Sequence, residues 1–418
     1  MRAASAALAL LIAGGLSAGL AAAPALADWH LQVVYAFQGG LDGAFPTSRL
    51  VETGGTLYGT TTSGGSSSLD YGEQCNDITF GCGTVYAVTP DGSETVLHSF
   101  MGGSDGAVPV AGLAKAGGVL FGTTLWGGAL GYDCDYGCGT VYAVTPVGAR
   151  TSQAYVLPNQ YMGANGAYPF AGLVALAGAL YGETEYGTAN GSGTVFRLTP
   201  DGNAAVVYTF AGGSDGAVPV GAMIELSGTL YGTTAEGGGS TACFNGCGTV
   251  FSLTPQGTET VLHAFAGGSD GAASFASLID AGGTLYGTTS AGGGTGCGGA
   301  GCGTVFSIGQ DGTETVLHAF AGGQDGSNPN AALLRVGNML YGTTPNGGGN
   351  GCGGPGCGTI FKITRAGAET VVHAFQGGDG ASPRAALIQV GDMLYGTTYK
   401  GGAGCGGQGC GTVFALRP

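Results

Sequence analysis

The sequence predicts an all-β fold: a seven-bladed β-propeller of four-stranded blades, its ring closed by an N-terminal strand that completes the last blade. Three observations predict it. Short apolar motifs recur in a fixed order, seven times, along a 418-residue chain. Glycine-based turns separate the motifs, and no stretch has a capped helical period. The repeats are also out of phase with the chain, since a fourth-strand motif comes first and a third-strand motif comes last.

The elements follow in order. Residues 1–27 read as a secretory signal peptide: Arg2 gives a positive start, an apolar run follows, and Ala25-Leu26-Ala27 has the small-x-small form of a cleavage site. Residues 28–418 read as one propeller domain. No later stretch has the roughly 20 apolar residues that a membrane helix needs, so an exported chain, secreted or periplasmic, is expected.

Strand a carries the pattern A-x-L-[IVL], as in Ala276–Ile279, Ala331–Leu334 and Ala385–Ile388. Its small residues suit the crowded axis of a ring. Strand b is L-[YF]-G-x-T, starting at Leu57, Leu120, Leu180, Leu230, Leu285, Leu340 and Leu394, with spacings of 63, 60, 50, 55, 55 and 54. Strand c is G-T-[VI]-[FY], starting at Gly83, Gly139, Gly193, Gly248, Gly303, Gly358 and Gly411. Strand d is of the V-L-H-A-F type, at Val33–Phe37, Val96–Phe100, Val206–Phe210, Val261–Phe265, Val316–Phe320 and Val371–Phe375, with a degenerate copy at Ala154–Leu157. Gly282-Gly283, Gly337-Asn338 and Gly391-Asp392 suit tight a–b hairpins, where φ is positive. Pro200-Asp201-Gly202 and Pro255-Gln256-Gly257 suit the c–d turns. Repeats of about 50 residues with four strands each fit propeller blades; a β-solenoid has shorter repeats with fewer strands. Pairing Val33–Phe37 with Gly411–Leu416 would complete blade seven and remove an exposed sheet edge.

The twelve cysteines form six close pairs, Cys75/Cys82, Cys134/Cys138, Cys243/Cys247, Cys297/Cys302, Cys352/Cys357 and Cys405/Cys410, one in each b–c loop except that of blade three. An even count in an exported chain predicts six local disulfides. The competing reading, two thiolates as half a zinc site, would need pairs on different blades to converge. The C-x-x-C redox spacing is absent.

Charged residues make up 9% of the chain and the formal net charge is −15. That argues against a nucleic-acid partner, which needs clustered Lys and Arg. At 44% hydrophobic residues, the chain does not have the composition of disorder. No sequence motif implies a cofactor or a metal.

The b–c and d–a loops share one face, which carries the cysteines and most of the length variation, and a binding site is expected there. The d–a loops repeat an acid or amide, Asp42, Asp105, Asn165, Asp215, Asp270, Asp325 and Asp379. These read either as Asp-Gly turns bonding their own backbone or as a ring of oxygens for calcium at the channel mouth. His98, His263, His318 and His373 share one slot of strand d, with Tyr35 and Tyr208 in it elsewhere, and read as rim residues too far apart to meet at one metal. The asymmetric residues are the candidate site: Trp126, Tyr132, Asp135 and Tyr136 in loop two, and Glu183, Glu185 and Tyr186 in blade three. Loop one adds Asp70, Tyr71, Glu73 and Asp77. Aromatic rings beside carboxylates are the chemistry of sugar binding, and paired carboxylates also serve glycosidic acid-base work.

The repeated pattern "GTVFSLTPQGTETVLHAFAGGSDGA…GGTLYGTTSAGG" resembles the Gloeo/Verruco (GloVer) repeat family of secreted bacterial proteins over residues 31–418. The resemblance implies an exported, propeller-like repeat protein and supplies no catalytic residues. The order of motifs is also similar to kelch propellers, but Thr-Thr replaces the kelch double glycine. Three functions stay open from the sequence: a non-catalytic binder of a glycan or protein, a polysaccharide hydrolase or lyase using the acids of blades one to three, and a structural envelope component.

Overall fold

The computed structural model describes residues 29–65, 81–128, 134, 136–146, 155–156, 166–187, 191–349, 351–407 and 409–417. They form seven antiparallel sheets arranged as the blades of a propeller. Blade four shows the plan: a is Ile224–Leu226, b is Thr229–Thr234, c is Thr249–Leu253 and d is Glu259–Ala264, hydrogen-bonded in that order. The a–b hairpin turns at Ser227 and Gly228, both with positive φ (54° and 84°), as a two-residue hairpin of this hand requires.

The inner strands are shorter than the motif suggested. The strand begins only at the last motif residue, Ile279, Leu334 or Ile388. The preceding segment is irregular because it serves the neighbouring blade: Ala276 and Leu278 are buried, and the Ala276 carbonyl accepts the Thr233 hydroxyl of blade four. Blade one differs in having a fifth strand, Ala44–Pro46, paired to strand b. In blade four the same contact is a single bridge between Ala217 and Glu236.

The core lies between blades. Tyr231, Val250 and Phe265 of blade four pack with Leu278, Leu285, Phe306 and Ile308 of blade five. Strand c therefore buries both faces, which is why "GTVFSL" does not alternate. In the six strand-d motifs that end in phenylalanine, that ring meets the aromatic of the next strand c edge-on, as in Phe210–Phe251 at 5.2 Å and Phe320–Phe361 at 5.1 Å. Such a pair contributes about 0.5–1.5 kcal/mol beyond its buried area. The final threonine of each L-[YF]-G-x-T motif hydrogen-bonds the threonine of G-T-[VI]-[FY], at 2.7–2.9 Å in all seven blades.

The strand His30–Ala36 pairs antiparallel with Thr412–Arg417, placing Val33 opposite Phe414. The N-terminal strand thus completes blade seven, and the seam is built like any other junction. Phe37 meets Tyr86 edge-on at 5.0 Å. The Thr397 hydroxyl donates to the Ser48 carbonyl, as Thr343 does to Ala385 one junction earlier. Gly411 holds φ at 98° with Pro46 so close that a Cβ would lie 2.6 Å from the ring, and Gly358 stands in the same way against Pro383. Both glycines are required by conformation and by contact.

Candidate functional site

Five of the expected disulfides are formed: Cys134–Cys138, Cys243–Cys247, Cys297–Cys302, Cys352–Cys357 and Cys405–Cys410. Cys82 is also disulfide-bonded, and Cys75 lies outside the described residues. Each bridge closes a loop of four or five residues directly before a strand c.

The acids of the d–a loops are not at the channel mouth. Each pairs with the outermost strand of its own blade. His98, His263, His318 and His373 approach Asp105, Asp270, Asp325 and Asp379 through Nε2 at 2.8–3.2 Å. Where the slot holds tyrosine, its hydroxyl donates instead, from Tyr35 to Asp42 at 2.9 Å and from Tyr208 to Asp215 at 2.6 Å. The same carboxylates accept a backbone N–H three or four residues upstream, such as that of Ala266 or Gln376. The turn is therefore fixed by an upstream amide and a side chain on strand d. The histidines stand apart from one another, and each packs edge-on against the phenylalanine two residues on. Asn165 lies outside the described residues.

The structure divides the sequence-predicted site residues into three places. Trp126 stacks on Tyr136, with centroids at 5.2 Å and planes 29° apart, on the loop face of blade two. Tyr132 and Asp135 lie outside the described residues, as do the loop-one acids. Glu183 is buried on strand b of blade three and opens to neither loop nor solvent. Neither of its carboxyl oxygens has a partner at hydrogen-bond geometry. Burial pushes this carboxyl well above the usual range, and the nearby Met223 amide opposes the shift without cancelling it. Among the described residues no contact joins Glu183 to Trp126.

Glu185 and Tyr186 sit where the sequence put them, on the loop face, and line a cavity of about 490 Å³ that spans the loops of blades three to five. Its further walls include Glu236, Phe244 and Phe275. Phe244 is 92% exposed and Phe275 41% exposed, as is Tyr186. Phe244 rides on the turn closed by Cys243–Cys247, so the bridge constrains the backbone that presents an apolar ring packed on little of its own chain. Burial first, then the negative Glu185 and the hydrogen bond to it, push the Tyr186 phenol up to about 12. Burial raises the Glu185 carboxyl, the Tyr186 bond lowers it, and the negative Glu236 raises it again. Glu236 is oriented by the Asn245 amide at 3.2 Å. The result is a concave surface with aromatic rings and two carboxylate acceptors.

Glu236, Phe244 and Phe275 were not singled out from sequence, although a signal existed. "CFNGC" breaks the glycine-only pattern of "CGGAGC" as clearly as "CDYGC" does. Phe275 stands in a "GAASF" segment where most blades have proline.

Among solved structures, the chain is similar to a protein provisionally named 6-phosphogluconolactonase from Bacteroides uniformis ATCC 8492, at 14% identity over 78% of this chain and 84% of that one, with a TM-score of 0.48. A protein of the same provisional name from Bacteroides fragilis NCTC 9343 is 16% identical over 81% and 86%, with a TM-score of 0.47. No curated protein matches the chain. The repeat motifs carry the assignment instead. The Gloeobacter/Verrucomicrobia repeat is matched over residues 70–243 and 299–418, well over half of the sequence, and the chain belongs to that repeat family.

Proposed function

We propose that the chain is a secreted, non-catalytic propeller that binds a carbohydrate in the cleft formed by Glu185, Tyr186, Glu236, Phe244 and Phe275. One observation carries the reading: Phe244, 92% exposed, projects from a turn whose backbone is closed by the Cys243–Cys247 disulfide at the edge of that cleft. A turn already closed by a bridge loses little backbone freedom on binding, and an exposed aromatic ring carried on it is suited to act as an anchor. Sugars offer apolar C–H faces to such rings and hydroxyl donors to carboxylates such as Glu236. Export through residues 1–27 belongs to the same proposal, and the disulfides fit an oxidising compartment.

The test is a glycan array followed by calorimetry with the best ligand. Phe244→Ala and Glu236→Gln are each expected to weaken binding about tenfold or more, which is about 1.4 kcal/mol, with unchanged thermal stability. Unchanged affinity in both variants defeats the proposal, and so does a protein partner whose binding ignores this cleft. A hydrolase reading finds support in the raised Glu185 carboxyl beside Glu236. Cleavage of the bound glycan, lost in Glu185→Gln with binding retained, would establish that reading instead.

A further inference from the structure

At two junctions on the outer rim, the recurrent histidine of strand d and aspartate of the d–a loop meet a glutamate of the next blade. In one, His263 and Asp270 of blade four meet Glu314 of blade five. In the next, His318 and Asp325 of blade five meet Glu369 of blade six. In each, one imidazole nitrogen and two carboxylate oxygens lie within 4.8 Å of one another. We propose that these two junctions are binding sites for a divalent cation of the zinc type, each bridging a pair of blades.

The donor set is one nitrogen and two carboxylates, which with a water as fourth ligand is a set that suits zinc. His263 Nε2 lies 3.2 Å from both oxygens of Asp270, and His318 Nε2 lies 3.2 and 3.3 Å from those of Asp325. That is a hydrogen-bond length, and it is also roughly the separation of two ligands around a tetrahedral ion with ~2.0 Å bonds. The ligands are already oriented. Asp270 and Asp325 each accept a backbone N–H at 2.6 Å, from Ala266 and Ala321. The Phe265 and Phe320 rings hold the imidazoles edge-on. Such supporting contacts are what keep a metal ligand in position.

The glutamates supply the second observation. Glu314 and Glu369 each bury an Oε1 atom that has no hydrogen-bond partner, as Glu94 and Glu259 do beside the tyrosine junctions, and only at the histidine junctions does an imidazole nitrogen stand next to it. A buried acceptor without a partner is costly, and a cation would satisfy it. Among the described residues, the ion pairs of both clusters are with histidine alone, and no lysine or arginine joins them. The repeat itself provides contrast. Tyr35 and Tyr208 hold the histidine slot at two other junctions and donate to Asp42 and Asp215. The hydrogen bond to aspartate therefore does not need histidine, and the imidazole adds a lone pair for a metal. At the His373–Asp379 junction the glutamate slot opposite strand c is filled by Leu31, so that set is one ligand short.

The experiment is zinc titration of chelator-treated full-length protein by calorimetry, with zinc chloride as the only added ligand. Two equivalents are expected to bind in the micromolar range or tighter. His263→Tyr and His318→Tyr should each remove one equivalent, and the double variant both. These substitutions install the residue the fold already uses at this slot, so the metal-free melting temperature should stay the same. His373→Tyr should leave the stoichiometry at two. X-ray absorption of the zinc-loaded protein should show a shell of nitrogen and oxygen without sulfur. Fewer than two equivalents in the parent protein, or uptake unchanged in the double variant, overturns the proposal.

Discussion

Removal of the strand His30–Ala36, by deleting residues 29–37, is expected to abolish the single cooperative melting transition and to yield an aggregating chain. The argument rests on what the strand covers. Val413, Phe414, Ala415 and Leu416 are buried in the intact ring, and the deletion would leave them on an open sheet edge. An exposed apolar edge is a template for pairing with another chain. Phe37 would go as well, fully buried and edge-on to Tyr86 of blade one. The milder variant Phe37→Ala is expected to cost about 3–5 kcal/mol, the range for deleting a buried phenylalanine. Because the seam repeats the interior junctions in its aromatic pair, its glycine–proline contact and its threonine hydrogen bond, Phe210→Ala should cost nearly the same. Calorimetry and size-exclusion chromatography decide the matter. A deletion variant that stays monomeric and melts like the parent would mean the ring does not depend on its seam.

Most of the fold was legible because each repeated residue has one physical task. The two threonines that recur in strands b and c bond each other in every blade. The glycine of G-T-[VI]-[FY] recurs because its φ is positive and a carbonyl of strand b fills the space of a side chain, joined in six of the seven blades by a proline of the next blade, as Pro46 at Gly411. The chain's phase, with strand d first and strand c last, was enough to place the seam. The inner strands were overextended because Ala276 and Leu278 look like strand residues yet serve the neighbouring blade. The cleft was half legible. Glu185 and Tyr186 are legible because they break the repeat, while Phe244 lies in a blade whose four strand motifs are regular. Glu183 breaks the repeat too, but it does so on a strand. The rim clusters were illegible for a different reason. His263 and Glu314 belong to different blades, and only the geometry of the outer strands shows that the end of one d strand meets the start of the next.

Glu183→Thr is expected to stabilise the protein, and increasingly so as the pH rises. At this slot the other six blades carry threonine, and each of those hydroxyls donates to a carbonyl of the next blade: Thr60, Thr123, Thr233, Thr288, Thr343 and Thr397. Blade three has a fully buried carboxyl with no partner instead. A buried polar group left unsatisfied costs about 1–3 kcal/mol, so the threonine should recover up to about that much at neutral pH. The sign with pH follows from linkage. Burial raises the folded-state pKa of Glu183 above its unfolded value. The folded state then holds the proton more tightly, so the contribution is complete at acidic pH and is lost as the pH climbs toward the raised value. Glu94, Glu259, Glu314 and Glu369, all pushed up to about 7 chiefly by burial, bend the stability curve in the same direction. They are present in parent and variant alike, so the difference between the two curves isolates Glu183. Denaturant melts from pH 5 to 9 should therefore diverge toward alkaline pH, for Glu183→Thr and for the isosteric Glu183→Gln. Parallel curves for parent and Gln variant would mean that the buried carboxyl is ionised in the folded ring, and that a cation or water compensates it.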